Sequence, residues 1–388
     1  MRISRADRSR FAEWWFTVDT VLLSAILILV GAGLVLSLAA SPAVAMKKGL
    51  SAYHFVSRHL LFSAAGVLVM IAVSLMTPHA VRRLALIVFC AALAGMVAVH
   101  FWGAEFNGAR RWLSLAGYSF QPSEFAKPAF IVVSAWLFAE ARERPDMPAL
   151  PIAVLVFIVV VALLVAQPDV GQTLLVSLVW CVLFFASGQT LVRAAALVLL
   201  GAAGLYAAYT VFPHVGLRVD RFLNPVAGDL SQVDRAFQSF AQGGLLGRGP
   251  GEGTIKTVLP DAHTDFIFAV VAEEYGGLAC LALLALYAFI VMRALLQSWR
   301  EPEAATRLAI VGLALIFGLQ ALINMGVNVG LLPAKGMTLP FISAGGSSAL
   351  SVSLTLGMVL ALTRRRADPQ RLKKPRLVST LDGLELEG

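Results

Sequence analysis

Charged side chains are scarce in this chain. Asp, Glu, Lys and Arg make up 14% of 388 residues, against about 25% in soluble domains. Cysteine is nearly missing too: Cys90, Cys181 and Cys280 are the only three, each inside an apolar run. That excludes a disulfide framework and leaves them as small hydrophobes. The six histidines are scattered without ligand spacing, so no zinc site is written in the sequence. GxSxG, a phosphate-binding P-loop and HExxH are all lacking. Alternation of apolar and polar residues over strand-length windows is lacking as well. What is abundant is apolar surface, with 59% hydrophobic residues and a mean hydropathy of +0.80. This composition excludes a disordered chain and a collagen, and it points to an all-α polytopic membrane protein.

A spanning helix needs roughly 20 apolar residues. Ten runs qualify, near 16–38, 57–76, 82–102, 123–140, 149–166, 170–188, 191–212, 263–296, 306–330 and 343–363. The first begins after a basic start and ends near Ala43-Val44-Ala45, which resembles a signal peptide and its cleavage site. Its apolar run is too long for one, and nine more follow, so an uncleaved first helix is expected. The chain divides into an N-terminal segment 1–15, a ten-helix membrane domain 16–365 and a polar, mobile tail 366–388. A large loop, 213–262, joins the seventh and eighth helices.

Orientation follows from the positive-inside rule. With the N-terminus in the cytoplasm, Arg82, Arg83, Arg142, Arg144, Arg193, Arg293, Arg300, Arg307 and the basic tail all fall inside. An even number of spans places both termini there, and loop 213–262 outside in the periplasm. The net charge of +8 is therefore topological. It calls for no nucleic acid, although the tail can touch anionic lipid.

The outer segments depart from a plain bundle. Residues 107–127 read NGARRWLSLAGYSFQPSEFAK, and 330–348 read GLLPAKGMTLPFISAGGSS. The second is rich in Gly and Pro and ends at membrane depth. Such backbone must be covered by protein or line water, so it is expected as a partly re-entrant lid on an outward-facing cavity. Ionisable residues in or beside spans are candidate functional groups. Glu124 and Lys127 sit three apart on one helix and can pair. Asp169 follows Pro168 at a tight turn and suits an N-cap. Asp265 lies where the long loop enters span eight, with Asp261 or Thr264 available as caps. A carboxylate at that boundary is raised toward the general-base range by partial desolvation; the plainer alternative is a helix-terminal carboxylate. Glu273 is expected to face the bundle and Glu274 the opposite side. Arg110, Arg111, Lys127, Arg218, Arg221, Arg235, Arg248, Lys256 and Lys335 make the outer face cationic, which suits an anionic lipid headgroup. The glycines of 243–253 allow backbone N–H groups to approach a diphosphate, or simply loosen the loop.

Four segments carry a resemblance over about residues 15–365: NGARRW with QPSEFAK (107–127), AQPDVGQT (166–173), LPDAHTDFIFAVVAEEYG (259–276) and NVGLLPAKGMTLPFISAGGSS (328–348). In that order they resemble the SEDS membrane proteins of bacterial cell-wall synthesis. Pro333-Ala334-Lys335-Gly336 resembles the cell-division branch more than the elongation branch, which usually lacks a Lys there. The resemblance implies ten helices and a peptidoglycan glycosyltransferase that polymerises lipid II outside the inner membrane. It implies a class B penicillin-binding protein as the crosslinking partner, within a septal complex. The family's essential acidic residue falls on Asp265 and its essential Trp on Trp112, with Glu124 and Lys127 as the polar pair that follows.

On this reading Asp265 is the catalytic base. Trp112, Arg110, Arg111, Glu124, Lys127, Arg218, Lys335 and Ser343 are the candidate substrate contacts. No cofactor is required by the sequence, and a divalent cation (Mg or Mn) is compatible with diphosphate chemistry. Competing readings are a transporter that flips lipid II and a scaffold that only binds division proteins. No internal repeat of the kind common in transporters is visible.

Overall fold

The computed structural model describes residues 9–47, 49–106, 109–115, 117–211, 216, 220, 232–259, 261–333 and 336–365. Arg218, Arg221, Lys335 and the tail 366–388 lie outside the described residues.

A short helix α1 (Arg10–Thr17) precedes ten longer ones that fall on the ten apolar runs: α2 (Thr20–Lys47), α3 (His54–Ser74), α4 (Pro78–Trp102), α5 (Pro122–Glu143), α6 (Ala149–Ala166), α7 (Val170–Ala186), α8 (Leu191–Val211), α10 (Ile267–Ser298), α11 (Ala304–Asn328) and α12 (Gly346–Leu362). A further helix, α9 (Gln232–Gly243), belongs to the long loop. α2, α3, α4, α6, α10 and α11 are long and apolar enough to cross a membrane; α7, most of α8 and α12 are apolar but shorter. α5 is the polar exception. It is buried along most of its length, among α4, α6, α7, α11 and α12. Position rather than hydropathy keeps this helix inside.

The first predicted run begins differently from expectation. The chain leaves α1 at Val18 in an extended conformation, and Asp19 then accepts hydrogen bonds from the N–H groups of Val21 and Leu22, both at 3.1 Å. This resets the helix direction. Asp19 also pairs with Arg293 at 2.8 Å and accepts from Gln297 at 2.5 Å. The far end of the chain closes onto the same face: Arg364 Nε donates to Thr17 Oγ1 at 2.9 Å, and the Arg365 N–H donates to the Thr17 carbonyl at 3.0 Å. Both described ends thus share one side of the bundle.

The opposite side holds a feature that the all-α expectation lacked. Three strands, β1 (Ala104–Phe106), β2 (Ala109–Leu115) and β3 (Tyr118–Phe120), form an antiparallel sheet. Trp112 stands opposite Ala104, and Leu113 opposite Phe120. The strands are too short to read as alternating patterns in sequence.

Two helix contacts set the interior. α12 packs along α3 through small residues, as membrane helices do when backbones approach closely. A Cβ on Gly357 would stand 2.9 Å from the Met70 carbonyl oxygen. α10 is not continuous. Gly276 has φ 81° and ψ 176°, a region that only glycine occupies comfortably. The loop after α9 fills the break. The Arg248 and Gly249 N–H groups donate to the Glu273 and Glu274 carbonyls, and Gly277 and Leu278 donate back to Gly244 and Leu245. A Cβ on Gly276 would also lie 2.3 Å from the Leu245 carbonyl oxygen. Gly276→Ala is expected to destabilise the protein by on the order of 3 kcal/mol. The check is the thermal unfolding temperature in lipid nanodiscs, together with protease cleavage in 244–253; unchanged values for both would contradict this role.

Candidate functional site

Asp265 sits in the turn that leads into α10. Residues around it are tied down from three directions. Asn324 Nδ2 and Asn328 Nδ2, one helical turn apart on α11, donate to the Asp265 carbonyl at 2.9 and 3.0 Å. Ser343 Oγ donates to the Thr264 carbonyl at 2.5 Å and accepts from the Leu339 N–H at 2.7 Å. The Ala344 N–H donates to the His263 carbonyl at 3.0 Å. Neither Asp261 nor Thr264 caps α10. Its N-cap is Phe266, and Asn328 Oδ1 takes the Ala269 N–H at 3.1 Å instead. A neighbouring helix therefore supplies the cap that the sequence expectation sought locally.

With its backbone held, the Asp265 side chain is left over. Among the described residues no donor hydrogen-bonds its carboxylate. Burial, and secondarily the Asp261 carboxylate, pushes its carboxyl from 3.8 up to about 7. Loss of solvation without a compensating donor disfavours the charged form. Gly336 lies close, since a Cβ there would stand 3.4 Å from Asp265 Oδ2. This half-buried acid is thus poised to exchange a proton near neutral pH.

The segment 336–345 is the expected re-entrant element. Leu339, Phe341 and Ile342 are buried. Tyr287 donates its hydroxyl to the Pro340 carbonyl at 2.5 Å. The Phe341 carbonyl passes Gly33, midway along α2, where no side chain would fit. Irregular backbone at membrane depth is tolerated where protein covers it or water lines it, and here Met337 and 339–343 are covered by protein.

Beneath it runs a buried polar chain. Arg111 donates to the carbonyls of Gln167 (2.9 Å) and Pro168 and lies 3.8 Å from Asp169. Asp169 caps α7 as expected, accepting from the Gln172 N–H at 3.3 Å. Gln172 Nε2 donates to Glu124 at 2.7 Å, and Glu124 pairs with Lys127 at 3.0 Å. Lys127 then donates to Gln320 Oε1 at 2.9 Å, and Gln320 Nε2 to the Thr338 carbonyl at 3.1 Å. The chain thereby couples the outer sheet to the re-entrant segment and, through Asn324 and the Met337 carbonyl at 2.6 Å, to Asp265.

The predicted site residues are thus not gathered in one cleft. Arg110 is exposed and meets Glu105 at 3.4 Å. Arg111, Glu124, Lys127 and Ser343 have their polar atoms engaged within the protein. Trp112 borders an outer cavity of about 200 Å³ that His263, two residues before Asp265, also lines. Glu273 and Glu274 do not point to opposite sides. Glu273 accepts from the N–H groups of Thr254 (2.6 Å), Ile255 (2.8 Å) and Lys256 (3.3 Å). Glu274 pairs with Lys256 and accepts from the Gly251 N–H at 2.9 Å. The glycine-rich loop folds around two carboxylates, so these backbone N–H groups are not left for a diphosphate. Asn324, Asn328 and Gln320 escaped the sequence reading because a neutral amide in an apolar run carries no charge signal. Among the described residues no group of three His, Cys, Asp or Glu is arranged to hold a metal ion.

The comparisons agree with this architecture. The family model for FtsW/RodA/SpoVE cell cycle proteins matches residues 20–368. A curated relative from Caulobacter vibrioides (strain NA1000 / CB15N), named probable peptidoglycan glycosyltransferase FtsW, is 44% identical over 94% of this chain and 93% of its own. The protein of the same name from Halorhodospira halophila is 35% identical over 94% and 96% of the two chains. A chain solved in a peptidoglycan synthase complex that coordinates polymerization and crosslinking superposes with a TM-score of 0.74 at 28% identity, covering 89% of this chain and 97% of that one. The rod shape determining protein RodA of Thermus thermophilus superposes with a TM-score of 0.63 at 27% identity, covering 90% and 97%. Sequence, bundle and re-entrant segment converge, and the chain belongs to the FtsW/RodA/SpoVE family of cell cycle proteins.

Proposed function

We propose that this protein is a peptidoglycan glycosyltransferase that polymerises lipid II at the outer face of the inner membrane during septal wall synthesis. The observation that carries the reading is Asp265: a carboxylate without a donor, near neutral in its titration, at the outer mouth of the bundle. In the reaction, the deprotonated Asp265 takes the proton from the acceptor sugar hydroxyl. The freed oxygen attacks the donor's anomeric carbon from the face opposite the leaving group. The glycosidic bond forms, the bond to the diphosphate-polyprenol breaks, and the anomeric centre inverts. Cations stabilise the charge that develops on the diphosphate. Arg110, exposed on the sheet, is one candidate for this, and Arg218 and Lys335 are proposed beside it on their charge alone. A Mg or Mn ion would add to the charge stabilisation on the diphosphate. Trp112 shapes the site or stacks on a sugar face.

The likeness to a chain of a peptidoglycan synthase complex supports a class B penicillin-binding protein as the crosslinking partner, with other division proteins of the septum around it. The termini are assigned to the cytoplasm by their basic residues. The break in α10 is the one feature that favours transport, because transporters use discontinuous helices at their substrate sites. Here, however, the break is filled by the chain's own loop and its carbonyls are satisfied.

The test uses the purified protein with its cognate penicillin-binding protein, whose crosslinking is blocked. Glycan strands formed from lipid II are the expected result. No strands, with lipid II crossing vesicle membranes in a flipping assay, would move the assignment to a transporter.

A further inference from the structure

The start of α10 is interrupted from outside. In an α-helix the Ala269 N–H would bond the Asp265 carbonyl, four residues back. Here the Asn328 amide stands between the two. Its Oδ1 accepts from the Ala269 N–H at 3.1 Å, and its Nδ2 donates to the Asp265 carbonyl at 3.0 Å. The Ala269 N–H also reaches the Phe266 carbonyl at 3.1 Å, the closer bond of a 3₁₀ turn. Asn324 donates to the same Asp265 carbonyl at 2.9 Å, so both lone pairs of that oxygen are occupied. Asn328 is buried, and its Nδ2 is held in place by the Asn324 carbonyl at 2.9 Å.

This wedge decides what kind of group Asp265 is. With the direct bond made, Asp265 would become the N-cap of α10, a role that aspartate favours. Its carboxylate would then accept N–H groups of the first turn, which holds a carboxyl in its charged form. With the amide in place the N-cap is Phe266, and the Asp265 carboxylate has no hydrogen-bond donor among the described residues. The charged group that acts on it there is Asp261, on its own turn. From α11 the turn meets the neutral amides of Asn324 and Asn328, and residues 336–345 carry no titratable side chain.

We infer that Asn328 is a positioning residue for the reaction: its amide splits the first hydrogen bond of α10 and keeps the Asp265 carboxylate from capping the helix, free to meet an acceptor hydroxyl. Asn328 acts through the backbone of Asp265 and not on the reacting atoms, and this role rests on the glycosyltransferase reading.

Asn328→Leu keeps a similar volume and removes both ends of the wedge. The full chain, with its penicillin-binding partner in nanodiscs and crosslinking blocked, is assayed on lipid II over a range of pH. kcat is expected to fall about a hundredfold with KM little changed, the loss that a misplaced catalytic group brings. The pH of half-maximal rate should move from about 7 toward 3.8, because capping N–H groups favour the charged carboxylate. A second readout needs no activity. Asp265→Asn should raise the unfolding temperature at pH 8 in the wild type, and with Asn328→Leu present that gain should vanish, since a capping carboxylate is no longer costly to ionise. The unfolding temperature of Asn328→Leu itself should stay near that of the wild type, because the direct helix bond replaces the wedge. Should Asn328→Leu not fold, Asn328→Ser, which adds no volume and is too short to bridge the two groups, carries the comparison. Wild-type kcat and pH profile in a folded variant would overturn the inference. So would a loss of rate with the pH profile and the Asp265→Asn gain both unchanged, the pattern of a purely structural asparagine. The two readings fail separately. A wild type that makes no strands removes the polymerase, while the Asp265→Asn gain still tests the wedge.

Discussion

Asp265→Asn is expected to cut lipid II polymerisation by at least about a hundredfold, the lower end of what a positioned general base contributes. The substitution keeps the shape of the side chain and costs it no existing hydrogen bond, so the fold should survive. Two pH signatures accompany the loss. In the wild type the base works only when deprotonated, so the rate should rise with pH and level off above about 7. Stability moves the other way. The folded protein holds this proton more tightly than the unfolded chain, whose carboxyl titrates near 3.8. The cost of ionising Asp265 is therefore absent below that value, grows as pH rises and is complete above about 7. Asp265→Asn should raise the unfolding temperature at pH 8 and leave it unchanged at pH 3.5. Strand synthesis at the wild-type rate by the variant would remove Asp265 from catalysis. An equal gain in unfolding temperature at both pH values would remove the raised titration.

Lys127→Met is expected to be the most destabilising of the single changes considered, by about 3–5 kcal/mol. Lys127 and Glu124 are each 3% exposed. Removing the ammonium leaves the Glu124 carboxylate buried with only Gln172 as a hydrogen-bond donor, whereas the intact pair also engages Gln320. The double change Glu124→Gln with Lys127→Met should recover most of the loss, because two neutral side chains need no counter-charge. Unfolding temperatures of the two singles and the double form the test. A single variant as stable as the wild type, or a double no better than the singles, would show that the pair contributes no net coupling. Activity is expected to fall in Lys127→Met as well, since Gln320 links Lys127 to Thr338 on the re-entrant segment.

The helices were legible because each falls on an apolar run, and six of those runs are long enough to cross a bilayer. α5 was legible from its run as well, although Glu124 and Lys127 lower its hydropathy. Their spacing of three already allowed them to pair, and the structure places that pair between Gln172 of α7 and Gln320 of α11. Asp169 was readable as a cap because an N-cap is a local device. The caps proposed for α10 were wrong because its start is closed by Asn328 from another helix, 59 residues away in sequence. Glu273 and Glu274 were assigned to opposite sides on helical geometry alone. That argument cannot see a loop that folds back over the break at Gly276 and offers N–H donors to one carboxylate and Lys256 to the other.

By itself the sequence determined the membrane class, the positions of the long helices, the side on which the unusual segments lie, and Asp265 as the acid to test. Hydropathy, charge bias and local spacing are properties of neighbours along the chain. The tertiary structure decided which of the remaining polar residues are free. Arg111, Glu124, Lys127 and Ser343 are engaged by contacts with distant segments, while the Asp265 carboxylate has no hydrogen-bond donor among the described residues. In a low-dielectric bundle every polar atom needs a partner. Which atom gets one depends on packing between helices far apart in sequence.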